Sequence, residues 1–263
     1  MRIPFLQIDA FADGPFTGNP AAVMPLEAWL DDSILQAIAA ENNLAETAFT
    51  VRWAGDDADF ELRWFTPSVE VALCGHATLA AGHALLQSSA DRDSVGFATR
   101  AAGMLRVERE GDGYRLSLPA WTAAPKALPE FIALIGGSPE ASYWRDGGYA
   151  MLLYRAEAEV RELDPDFRGL KAHGDIMFIA TAPGEDTDIV SRVFVPGAGI
   201  DEDPVTGSAH CLLTTFWAER LRKASFTAYQ ASARGGHIAC RLEGDRAILG
   251  GRCTTMIEGS FQL

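Results

Sequence analysis

Two five-residue segments of this chain echo each other. Arg63-Trp-Phe-Thr-Pro67 and Arg192-Val-Phe-Val-Pro196 each lead into a loop, a glycine and a strongly apolar stretch. The glycine segments read Cys74-Gly75-His76-Ala77 and Thr206-Gly207-Ser208-Ala209. The proline-to-glycine distance is 8 residues in the first and 11 in the second. Strand, proline, loop, glycine and buried helix in the same order twice imply an internal duplication. The fold class that follows is α+β, with two pseudo-symmetric domains. Each is expected to be a mostly antiparallel sheet wrapped around a central helix, with both glycine loops at one cleft. The expected halves are 1–118 and 125–252, with Pro119–Pro125 as linker and the strand 253–263 a candidate to rejoin the first half.

Short alternating runs dominate the rest. Phe60, Leu62 and Trp64 alternate with Glu61 and Arg63, the pattern of a half-buried strand. Similar runs occupy 47–51, 104–108, 114–118, 149–153, 176–181, 189–195, 238–242, 247–249 and 254–258, and the Gly-Asp pairs at 111–112 and 244–245 mark hairpin turns. Helices are expected from near Ser33, with Asp32 or Ser33 as cap, over 76–86 and over 208–222, with shorter ones at 128–136 and 157–171. The stretch His76–Leu86 is apolar almost all round, as suits a helix enclosed by other structure.

With 263 residues, 22 basic and 36 acidic, the chain carries a net charge of −14. It has no cationic stripe to follow a phosphate backbone, which excludes nucleic acid and disfavours anionic membranes as partners. The opening Met1–Phe11 lacks the pattern of a secretory leader, and no run approaches the roughly 20 apolar residues that span a bilayer. The four cysteines (Cys74, Cys211, Cys240, Cys253) form no paired motif. Reduced thiols and a cytoplasmic location are the expectation; a homodimer is compatible with the sequence. Nucleotide-binding, metalloprotease and hydrolase motifs are absent, so no cofactor and no metal is expected. His76 and His83 lie seven residues apart without a third ligand.

Several residues can carry chemistry. The N–H groups at Gly75 and Gly207 open helices, and two such ends make an anion site without lysine. Each glycine alone also reads as a plain tight turn. Glu46, among Leu44, Ala45, Ala48 and Phe49, is either a surface glutamate or a carboxylate in apolar surroundings, the setting of a general base. Asp203 either meets a ligand or caps the following helix. His76, near the positive helix end, tends to stay neutral there. Cys74 at the same helix start would gain acidity and serve as nucleophile or base.

The segments Asp9-Ala-Phe11, Pro15–Val23, Ala45–Phe49, Cys74–Thr78 and Glu202–Ser208, with Arg234-Gly-Gly236, resemble the phenazine-biosynthesis PhzF family over most of the chain. The resemblance implies a diaminopimelate epimerase-like fold, two pseudo-symmetric domains that are each a curled, mostly antiparallel, barrel-like sheet around a central helix, and a cofactor-independent isomerase. It assigns the catalytic glutamate to Glu46 and the supporting polar groups to His76, Asp203 and Ser208. Asn19, Gly75, His76, Gly207 and Ser208 would bind a small carboxylic acid. Racemase relatives of the fold use two cysteines, one per glycine loop. Cys74 matches the first, but the second loop has no cysteine, and Cys211 lies a turn further on. Glutamate chemistry is therefore expected over thiol-based epimerisation at Cys74 or simple binding of a small acid.

Overall fold

A computed structural model describes residues 1–89 and 91–263. In chain order the first elements are β1 (Arg2–Ala10), β2 (Asn19–Leu26), α1 (Asp32–Asn42), β3 (Glu46–Arg52), β4 (Phe60–Phe65), β5 (Glu70–Val71), α2 (Gly75–Gln87), β6 (Ser94–Thr99), β7 (Met104–Glu110) and β8 (Gly113–Pro119). Next come β9 (Ala124–Pro125), α3 (Pro129–Ile135), β10 (Ala141–Arg145), β11 (Tyr149–Leu153), α4 (Glu157–Arg161), α5 (Phe167–Lys171), β12 (Met177–Pro183), β13 (Ile189–Val195) and β14 (Ile200–Glu202). The chain closes with α6 (Gly207–Leu221), β15 (Ser225–Gln230), β16 (Gly236–Glu243), β17 (Arg246–Gly251) and β18 (Cys253–Gln262). It divides into two units, Met1–Leu118 with Ile248–Leu263, and Pro119–Ala247.

In the first unit the strand order is β18-β1-β2-β3-β4-β6-β7-β8, with β5 folded back on β4. Most pairings are antiparallel. The parallel pairs β2–β3 and β4–β6 are the two whose connections carry α1 and α2, since parallel neighbours need a crossover. The helix α2 is buried on nearly every face and packs on β1, β2, β3, β6, β7 and β18. Its Gly82 lets it approach β7: a Cβ there would lie 2.4 Å from a Val107 methyl. Leu35, Ile38 and Ala39 of α1 join Ile3, Met24, Phe49 and Phe65 in a separate apolar cluster.

The second unit repeats this plan, with order β9-β10-β11-β12-β13-β15-β16 and β14 folded back on β13. Its parallel pairs, β11–β12 and β13–β15, stand at the equivalent places. Trp217, fully buried on α6, donates its indole N–H to Thr181 Oγ1 on β12 at 3.0 Å. Each unit is thus a curled mixed sheet with one enclosed helix, and the chain has a two-domain α/β fold.

Two local expectations are corrected. Asp31, not Asp32 or Ser33, stands at the start of α1, without a side-chain cap; the Asp32 carboxylate is drawn to Arg63 instead, at 2.9 Å. The single helix expected over 157–171 is two, α4 and α5, because Pro165 disfavours helical geometry in the residue before it. Asp166 then opens α5 by accepting from Gly169 N. No helix among the described residues is long and apolar enough to cross a membrane.

Candidate active site

Cross-strand register equates the halves residue by residue. Phe65 faces Glu70 across β4–β5, and Phe194 faces Glu202 across β13–β14. Glu70 precedes Gly75 by five positions, and Glu202 precedes Gly207 by five. The three extra residues of the second half therefore lie before Glu202, where Pro196–Ala198 form a 3-10 turn. Cys74 corresponds to Thr206, and His76 to Ser208. Because Thr47 faces Phe65 and Phe178 faces Phe194, Glu46 at the start of β3 corresponds to Met177 at the start of β12.

In the first unit these positions meet. His76 Nε2 lies 2.9 Å from Glu46 Oε2, with the imidazole side chain 5% exposed and the carboxylate 18%. Asn19, fully buried at the start of β2, places Nδ2 3.1 Å from His76 Nδ1. An amide N–H can only donate, so Nδ1 is the acceptor when the ring is neutral, and the ring proton then sits on Nε2, toward Glu46. Gly18 makes the approach to Asn19 feasible: its φ is +73°, and a Cβ would lie 2.4 Å from the Ala10 carbonyl oxygen. Cys74 Sγ lies 3.5 Å from His76 Nδ1.

Burial works against charge on His76, yet Cys74, wherever that thiol is ionised, and the Glu46 carboxylate beside the ring raise its pKa. Burial and the neighbouring Glu46 push the Cys74 thiol up to about 11. A thiol that stays protonated near pH 7 lends no charge, so Glu46 is the partner that counts for His76 there. Both sequence expectations for this helix start are corrected. His76 is biased toward imidazolium, and Cys74 is less acidic, because a carboxylate in contact and burial outweigh a helix end. The apolar setting expected of Glu46 is found only in part, since its closest partner is this ring.

The Glu46, Cys74 and His76 donor atoms lie within 4.8 Å of one another, compact enough for a metal ion, although the thiol would first have to lose its proton. His83 is occupied elsewhere, with Nδ1 3.1 Å from Tyr114 Oη and Nε2 2.9 Å from Thr255 Oγ1.

In the second unit the same positions are not titratable. Ser208 Oγ contacts Met177 Sδ at 3.8 Å, and Thr206 stands where Cys74 does. Asp203, 8% exposed, accepts from Thr206 Oγ1 rather than capping α6 directly. Gln230 ties this loop down: its Nε2 donates to the Asp203 carbonyl at 2.7 Å, and its Oε1 accepts from Thr206 N at 2.9 Å. Sequence reasoning aligned Cys74 with Thr206 but missed Gln230 and Met177. Only strand register exposes Met177, and no motif marks Gln230. Gly75 and Gly207 open their helices without a side-chain cap from the preceding residue, although the Ala77 N–H interacts with the Cys74 sulfur.

Duplicated curled sheets, each around one helix, define the epimerase-like class of fold. A hydroxyproline epimerase from Agrobacterium vitis shares that fold, with TM-score 0.66 over 98% of this chain and 92% of its own at 14% identity. The sequence profile of the PhzC-PhzF family, phenazine biosynthesis-like protein, matches residues 8–133 and 143–259. A PhzF-family protein from Enterococcus faecalis superposes with TM-score 0.91 at 40% identity, covering 100% of both chains. An uncharacterized isomerase of Pseudomonas aeruginosa is 46% identical over 264 residues, again covering 100% of both. The chain belongs to the phenazine biosynthesis-like PhzF family, some of whose relatives are named as uncharacterized isomerases.

Proposed function

We infer that the protein is a cofactor-independent isomerase that shifts a proton on a small carboxylic acid. Glu46 removes the proton and redelivers it at a neighbouring carbon. His76 supports Glu46: as imidazolium it stabilises the carboxylate before proton removal, and as the neutral ring, accepting from Asn19 at Nδ1, it keeps its Nε2 proton as the carboxyl forms. Asn19 and Gly75 in the first unit, and Gly207 and Ser208 in the second, are the residues suited to substrate binding, helix-end N–H groups matching a carboxylate. Asp203 contributes the catalytic polar group of the second unit.

One observation carries this reading. The acid–base set Glu46–His76 is complete in one half and replaced by Met177–Ser208 in the other. Two-thiol epimerisation needs a matching acid in each half, and Thr206 at the Cys74 position cannot supply a thiol. A proton shift needs a single carboxyl group that acts as base and then acid. The test is NMR in heavy water with a panel of small unsaturated and β,γ-functionalised carboxylic acids. Isomerisation or solvent exchange by the wild type, lost in Glu46→Gln, supports the reading. Turnover that survives Glu46→Gln and is abolished by Cys74→Ala overturns it.

A further inference from the structure

Both halves carry an arginine that the proton-transfer chemistry does not use. Arg63, 3% exposed on β4, donates from Nε and Nη2 to the two carboxylate oxygens of Glu70, each at 2.8 Å, and from Nη2 to Asp32 at 2.9 Å. Its guanidinium lies over Phe65 and Trp29, about 5 Å from each ring. Arg192 on β13 repeats the arrangement. Its Nε and Nη2 reach the two oxygens of Glu202 at 2.8 and 2.9 Å, and it lies over Phe194 at 4.9 Å. In both, the aromatic ring is two residues beyond the arginine and directly opposite the glutamate.

The two forks keep this geometry although the turns they close differ by three residues. What they share lies downstream: five residues from each glutamate to the glycine that opens the enclosed helix. The first fork also sits on the path that fixes the reacting pair. Glu46 opens β3, β3 pairs with β4 up to Phe65, Phe65 faces Glu70, and Glu70 leads into Cys74 and His76. A bidentate guanidinium–carboxylate pair is geometrically stiff, and lysine cannot reproduce it.

We propose that Arg63 with Glu70 is a positioning device that sets the His76–Glu46 separation, and that Arg192 with Glu202 is its duplicate, setting the Asp203–Ser208 loop. The consequence for catalysis rests on the role given above to Glu46; the positioning itself does not, and it is read without substrate. The groups facing His76 are Glu46, Cys74 and Asn19.

The experiment follows the His76 ring by NMR titration in the full chain, comparing wild type with Arg63→Lys, Glu70→Gln, Arg192→Lys and Glu202→Gln. Amide exchange is measured over residues 70–78 and 202–210. Arg63→Lys and Glu70→Gln should lower the His76 titration midpoint by about one pH unit or more, toward the ordinary value near 6.5, and speed exchange over 70–78. Arg192→Lys and Glu202→Gln should leave the His76 midpoint at its wild-type value and speed exchange over 202–210. An unchanged midpoint in the first pair overturns the proposal. So does an equal shift in the second pair, or loss of folding in both members of the first, since each indicates a global rather than local role. If the midpoints behave as expected while Glu46→Gln retains turnover, the positioning stands and the assignment of Glu46 falls.

Discussion

His76 and Ser208 occupy the same place on equivalent helices, yet His76 meets a carboxylate at 2.9 Å where Ser208 meets a thioether at 3.8 Å. A duplicated fold has kept its frame in both halves, while an imidazole–carboxylate pair stands in one of them. The role proposed for Glu46 rests on that asymmetry.

Cys74 should behave as a quiet thiol. It is 6% exposed and its pKa is pushed up to about 11. Iodoacetamide should label it slowly at pH 7, because the thiolate is the nucleophile. Cys74→Ala should keep turnover within about tenfold of wild type, less than a positioned acid–base group is worth. Mass-spectrometric mapping of the label and an activity assay check both; rapid labelling of Cys74 with parallel loss of turnover would refute this.

Stability should fall on both sides of a near-neutral optimum for reasons the histidines make explicit. Burial lowers His83 and His210 to about 4. The unfolded chain therefore binds more protons than the native one between about 6.5 and about 4, and stability is lost as pH falls through that window. His76 is raised in the native state, so its contribution is full below about 6.5 and is lost as pH rises through its native pKa. Urea midpoints measured across pH should show both flanks. His76→Gln should flatten the alkaline one, and His83→Gln should reduce the acid one.

Gly82 should be intolerant of alanine despite lying inside a helix, where alanine is ordinarily better by about 1 kcal/mol. The added methyl would press on Val107. The expected cost is about 1–3 kcal/mol of overpacking, read from chemical denaturation, and Val107→Ala in the same chain should recover part of it. Equal or higher stability of Gly82→Ala alone would show that α2 has room to move from β7.

Much of this was legible in the residues. Alternation marked β4 and β7, the all-round apolar character of 76–86 marked an enclosed helix, and the repeated Arg-x-Phe-x-Pro segment marked the duplication. β2 escaped because Pro20 and Pro25 read as loop punctuation, although the strand pairs on both sides. The correspondence of Cys74 with Thr206 was legible in the aligned glycine segments, but that of Glu46 with Met177 was not, and only cross-strand pairing shows it and on which side of the glutamates the three extra residues fall. The direction of the His76 shift escaped because a helix end is visible in sequence and a carboxylate 30 positions away is not.

The most direct measurement is isomerisation in heavy water by wild type and Glu46→Gln on a confirmed substrate. Glu46→Gln keeps the shape and removes the base, so its fold, checked by circular dichroism, should be intact. Turnover should drop by about 10²–10⁴, the usual worth of a positioned acid–base group. Glu46→Asp should retain partial activity, and solvent deuterium should enter the product of the wild type at the carbon that gains the proton. Near-normal turnover by a folded Glu46→Gln would contradict the account and move the search for the base to His76 and Cys74.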